Sequence, residues 1–137
     1  MASEPGFIAN NGTHLEFAGS GAGRLTGGPL NAALARAVVQ SHRTYFGRGP
    51  TKAQAFFCKN LLVVVMEDTL TKGERNLVAS GQADAVAGMR EQCQHTMQED
   101  LVAQIEQLTG RSVRACLSSN HIEADVAAEL FVLDGPV

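Results

Sequence analysis

The chain has 137 residues, 45% hydrophobic and 18% charged, which is the size and balance of one globular domain. Its formal net charge is −3, and its Lys and Arg are scattered rather than gathered into the basic stripe of a nucleic-acid binder. The longest apolar run, Leu61 to Met66, falls far short of the ~20 residues of a spanning helix, so direct membrane insertion is not expected.

Residues 1–28 are rich in Gly, Ser, Asn and Ala and read as a flexible arm, because glycine loses much backbone entropy on ordering and offers no apolar area. Within the arm, Asn11-Gly12 lies between Phe7–Ala9 and His14–Phe17, which is a hairpin signal. Residues 29–137 read as one domain. Pro29 suits the first turn of a helix, where a missing N–H costs nothing. Leu30, Ala33, Leu34, Ala37, Val38, Ser41 and Tyr45 form its stripe. Gly47 caps the helix and Pro50 prevents its resumption.

Two strands follow, Gln54 to Lys59 and Leu61 to Glu67, joined closely enough for a hairpin. The run Val63-Val64-Val65 is stiff at χ1 and favours strand. Thr71 and Glu74 have capping-box spacing and open a long helix that reaches Leu108, with Gly110 ending it. Its stripe reads Leu77, Val78, Val86, Met89, Cys93, Met97, Leu101, Ile105 and Leu108. An unbroken helix of that length is unusual in so small a domain, so a break is expected at Ser80-Gly81. A homodimer is expected as well. Val113 to Ser118 and Val126 to Leu133 complete the strands, with Ser119 to Asp125 as the turn. In the last strand Val126, Ala128, Leu130 and Val132 alternate with Ala127, Glu129 and Phe131, and the first set reads as the core face. The fold class is α+β, in the order α-β-β-α-β-β: a four-stranded, mainly antiparallel sheet with helices on one face.

An ordered set of residues carries a family resemblance. Tyr45-Phe-Gly-Arg-Gly-Pro50 precedes the apolar strand Leu61 to Met66. Glu67-Asp-Thr-Leu-Thr71-Lys-Gly-Glu74 opens the long helix, Met89-Arg90 follows, and Ile105-Glu106, Thr109-Gly110-Arg111 and Val113 close it. Asp125 and Glu129-Leu-Phe-Val-Leu-Asp134 complete the set. From Pro29 to Asp134 this succession resembles the MpsC-like domain, a family named for a sodium-translocating, membrane-potential-generating system. The resemblance implies a small bacterial domain serving as accessory to a membrane cation or inorganic-carbon system, with a membrane-system protein as partner. It implies no catalytic residue.

The candidate chemistry is sparse. Gly47-Arg48-Gly49-Pro50, with Lys52 beyond, could cradle an anion through loop amides and a guanidinium, although a helix cap and turn explain the same residues. The order helix, loop, strand rules out a P-loop. Glu67, Asp68 and Glu74 are acidic neighbours with no calcium-loop spacing. Glu91, His95 and Glu99 share a helix face, but a zincin helix needs a second His. Cys116 and His121 flank a turn and form the one nucleophile–base pairing to consider. Arg111 and Arg114 are candidates to pair with Asp125 or Glu129. The odd cysteine count (Cys58, Cys93 and Cys116) and the lack of a secretory signal point to reduced thiols in the cytoplasm, each thiol acting as a small hydrophobe. No cofactor, metal or catalytic set is expected, and the helix–sheet layer is expected to be dry and apolar. The reading is a non-enzymatic accessory or interaction domain; the alternative is an anion- or small-ligand-binding module built on Gly47, Arg48, Gly49 and Lys52.

Overall fold

The computed structural model describes residues 24–137. The elements are α1 (Gly27–Phe46), β1 (Lys52–Cys58), β2 (Leu61–Glu67), α2 (Lys72–Ala79), α3 (Ala83–Thr109), β3 (Val113–His121) and β4 (Val126–Leu133). The sheet order is β1-β2-β4-β3 and every pairing is antiparallel. α1 packs against β1, α3 against β3, and the two helices against each other on the same side of the sheet. The hairpin signal at Phe7 to Phe17 lies outside the described residues.

Local chemistry sets the ends of the helices. α1 starts two residues before Pro29, and Arg24 already reaches the carbonyl of Gln107 at 3.0 Å. Gly47 ends α1 in the left-handed conformation at φ 84°, its N–H on Arg43 O at 2.9 Å. Thr71 and Glu74 form the expected capping box, with reciprocal bonds of 3.1 and 2.8 Å. The long helix breaks where expected: Gly81 takes φ 86°, and Gln82 N–H returns to Leu77 O at 2.8 Å.

Two faces depart from expectation. On β4 the buried residues are Ala127, Glu129, Phe131 and Leu133, not the Val126, Ala128, Leu130 and Val132 set. Pairing with β2 decides this. Met66, Val64 and Leu62 face the helices, and their partners Ala127, Glu129 and Phe131 go with them. On α3 the buried stripe is Val86, Arg90, Gln94, Met97, Leu101 and Ile105. Leu77 and Met89 remain 45% and 42% exposed. The cysteines are not core residues either, since Cys58 is exposed and the other two are half-buried. β3 runs on to His121, because Ser119 to His121 find ladder partners in Ala128 to Val126.

One end of the sheet is tied by two aspartates in left-handed conformation, Asp68 (φ 59°) and Asp125 (φ 55°). Asp68 N–H donates to Asp125 O at 3.1 Å. Asp125 Oδ1 accepts from Thr69 N–H (2.8 Å), Thr69 Oγ1 (3.0 Å) and Leu70 N–H (3.2 Å). The β4 entry thus holds the segment that leads into α2. Asp125→Ala should cost about 2–4 kcal/mol in urea unfolding, through lost charge-assisted bonds and a left-handed alanine. Asp125→Asn keeps one acceptor and tolerates that backbone, and should cost about half as much.

Candidate functional site

The Gly47–Lys52 loop is tightly engaged within the fold. Arg48 donates to the carbonyls of Asp68 and Leu70 and to the Asp68 carboxylate at 3.0 Å. The Asp68 carboxylate also takes Thr51 Oγ1 at 3.0 Å and Arg75 at 3.1 Å. The Arg48 bond, foremost, holds its carboxyl below the usual range. A Cβ on Gly49 would lie 3.3 Å from both Val39 Cγ1 and Val39 O, so the glycine permits close approach to α1. Lys52 stands exposed at the start of β1.

The other sequence candidates separate. Glu67 is exposed, Asp68 binds its arginines, and Glu74 is buried. Glu91, His95 and Glu99 lie exposed on α3. Cys116 pairs opposite Phe131 and His121 opposite Val126, which puts them on opposite faces of the sheet. Burial raises the Cys116 thiol pKa, and His121 Nδ1 accepts from Ala124 N–H at 3.1 Å. Arg111 lies 3.9 Å from Asp134, away from Asp125 and Glu129. Among the described residues no group of three or more His, Cys, Asp or Glu side chains is arranged to hold a metal ion.

The layer between helices and sheet is not apolar throughout. Ionisable side chains run across it, and sequence reasoning missed them. Ser118 on β3 donates to Glu129 Oε1 on β4. Glu129 Oε2 lies 3.5 Å from His42 Nε2 on α1. The His42 ring stacks on Phe46 with centroids 5.3 Å apart, and Arg90 of α3 caps the other contact, 4.0 Å from the Phe46 centroid. Arg90 closes the chain with a 2.7 Å bond to Glu74 Oε1. His42 and Glu129 are 0% exposed, Arg90 1% and Glu74 4%. Their spacing was the available signal. His42 follows Val38 by four, Arg90 follows Val86 by four, and Glu129 alternates with Ala127 and Phe131. Each polar residue occupies a core position of its own element.

Burial sets the protonation of His42 and Glu129, whose Nε2 and Oε2 lie 3.5 Å apart without a hydrogen bond. His42 Nδ1 lies 3.1 Å from Val38 O, and a carbonyl only accepts, so Nδ1 carries the hydrogen. In the neutral ring Nε2 is then a lone pair, aimed at Glu129 Oε2. An ionised Glu129 would set two lone pairs against each other, which a protonated carboxyl avoids. The 3.5 Å contact has ion-pair distance, but burial drives both groups toward neutrality. Burial pushes the Glu129 carboxyl up from 4.5 to about 7, against the Ser118 bond. Burial pulls His42 down from 6.5 to about 4, and nearby Arg90 adds to that. This order differs from a nucleophile triad, because the serine hydroxyl serves the carboxylate and no base faces it.

Among the described residues no helix packs on the opposite side of the sheet. Strand register sets its side chains in rows from β1 to β3. Phe56, Val63, Leu130 and Leu117 form a central row. Cys58, Leu61, Val132 and Ala115 lie on one side of it, and Gln54, Val65, Ala128 and Ser119 on the other. At the paired positions charge enters at the end row of Lys52, Glu67, Val126 and His121, and exposed Arg114 sits in the β3 bulge beside Ala115. Leu117 is 57% exposed. Monomeric proteins seldom leave a contiguous apolar face of this extent in water.

A two-layer α+β domain with one apolar sheet face bare is the class that these features define. The chain belongs to the family described as Na+-translocating membrane potential-generating system (MpsC), whose match spans residues 26–135. No curated protein and no solved structure matches the chain. Among the described residues no helix is long and apolar enough to cross a membrane.

Two outcomes test the buried chain. Glu129 is favoured protonated, so its contribution to stability is full below pH 4.5 and is lost as pH rises through about 7. His42 works oppositely: its contribution is present above pH 6.5 and lost as pH falls through about 4. Glu129→Gln should therefore gain on the wild type between pH 4.5 and 8, by on the order of 3 kcal/mol in denaturant titrations, and unmask the rise due to His42. Arg90→Met leaves Glu74 buried and uncompensated and should cost about 3–5 kcal/mol. Adding Glu74→Gln, which keeps the cap acceptor, should recover most of that loss in the same titrations.

Proposed function

We propose that this chain is a non-enzymatic accessory domain of a Na+-translocating, membrane-potential-generating system, and that it acts through protein contacts made by its bare sheet face. Family membership supports the setting. The observation that carries the mode of action is the uncharged row Phe56, Val63, Leu130 and Leu117, on the side of the sheet that no helix covers among the described residues. Burial of such a row against a protein surface is favourable at about 25 cal/mol per Å². The two-sided pairing of β4 keeps the row in register without a partner, so little order remains to be imposed on binding. The ionisable chain belongs to the helix side and stiffens the platform from behind. The domain works in the cytoplasm, beside the membrane rather than in it.

The test is functional. In cells of the native host that lack the chain, a potential-sensitive dye should report a lower membrane potential in Na+ medium and no change when K+ replaces Na+. The wild-type chain should restore the potential, Cys116→Ser should restore it equally, and Leu130→Lys should not. A potential indifferent to loss of the chain, or fully restored by Leu130→Lys, would overturn the reading.

A further inference from the structure

We infer that the bare sheet face is covered by a second copy of this chain, giving a two-fold pair of sheets packed face to face. The inference rests on the contact-surface reading above and names its occupant. Three observations select a second copy over other partners.

The first is polarity. The two middle strands of the face, β2 and β4, present Val63, Val65, Ala128, Leu130 and Val132, with charge confined to the end row. A centre without charge has nothing to repel its own duplicate, although each chain carries a net −3. A partner chosen by charge would find no handle in the centre.

The second is shape. The sheet is open and four-stranded, and all sheets share one hand of twist. Two such sheets pack at about 30° and roughly 10 Å apart, with side chains interdigitating. A sheet with one covered side is therefore complementary to its own duplicate, and the contact is isologous and closes at two.

The third is area. Four strands at ~4.8 Å spacing and seven residues at ~3.3 Å rise give a footprint of about 19 by 23 Å, or ~440 Å². Side-chain relief raises the accessible area above that footprint. It then approaches the roughly 600–1,000 Å² that each partner of a specific pair buries.

Light scattering on the full chain in solution should give twice the chain mass of 14.5 kDa. Leu130→Lys, at the centre of the face, should shift this to the single-chain mass with far-UV circular dichroism unchanged. Leu117→Glu does the same from the sheet edge, where the side chain is already mostly exposed, so failure of the first variant to fold does not leave the pair unexamined. Leu130→Ile should keep the double mass. A single-chain mass for the wild type, or any larger mass that both charged variants leave unchanged, overturns the pair. The two readings fail separately. A monomeric wild type whose Leu130→Lys variant still loses the potential removes the pair and leaves the contact surface. A pair split by Leu130→Lys without effect on the potential does the reverse.

Discussion

β4 is hydrogen-bonded on both sides, to β2 and to β3, and that double pairing governs the rest of the molecule. A strand held at both edges cannot turn its side chains over without breaking two ladders, because its period is two. Once Phe131 lies opposite Leu62, Glu129 must stand opposite Val64 beneath the helices, and Leu130 must face the other way. The buried carboxyl and the bare apolar row are two consequences of one register.

The buried chain then follows from what surrounds Glu129. A carboxyl in that position needs a donor on each oxygen or a proton of its own. Ser118 serves one oxygen; the other makes no hydrogen bond and lies 3.5 Å from His42 Nε2, where burial favours a protonated carboxyl. Arg90 lies beyond, where Phe46 spreads its charge and Glu74 balances it. Glu74 is also the cap of α2, so the short helix is anchored by the same side chain that neutralises the guanidinium. Such ion pairs are weak contributors to net stability, but they penalise any packing in which one partner is displaced. Gln94 and Asn120 add a reciprocal amide pair at 3.1 and 2.8 Å, which fixes α3 along β3.

Much of the architecture was legible in the residues. Gly47, Gly110 and the Thr71–Glu74 box marked helix ends through local chemistry that needs no tertiary partner. The break at Ser80-Gly81 was legible for the same reason. The tie between Asp68 and Asp125 was not legible, since their left-handed backbone and mutual support form only when the ends of β2 and β4 meet. The buried chain was harder still. His42, Arg90 and Glu129 come from three distant segments, and the spacing that puts each at a core position does not show that they meet.

The sequence by itself determined the element order, the ends of the helices, the hairpin pairing of β1 with β2 and the family, because these rest on neighbours along the chain. Which face of β4 is buried, which residues of α3 form its stripe, and that His42 and Glu129 meet in the core were decided only by the tertiary structure. The physical reason is that both faces of β4 are apolar enough to be buried, so hydrophobicity could not choose between them. Register with β2 made the choice, and it carried Glu129 into the core with the apolar residues on either side of it.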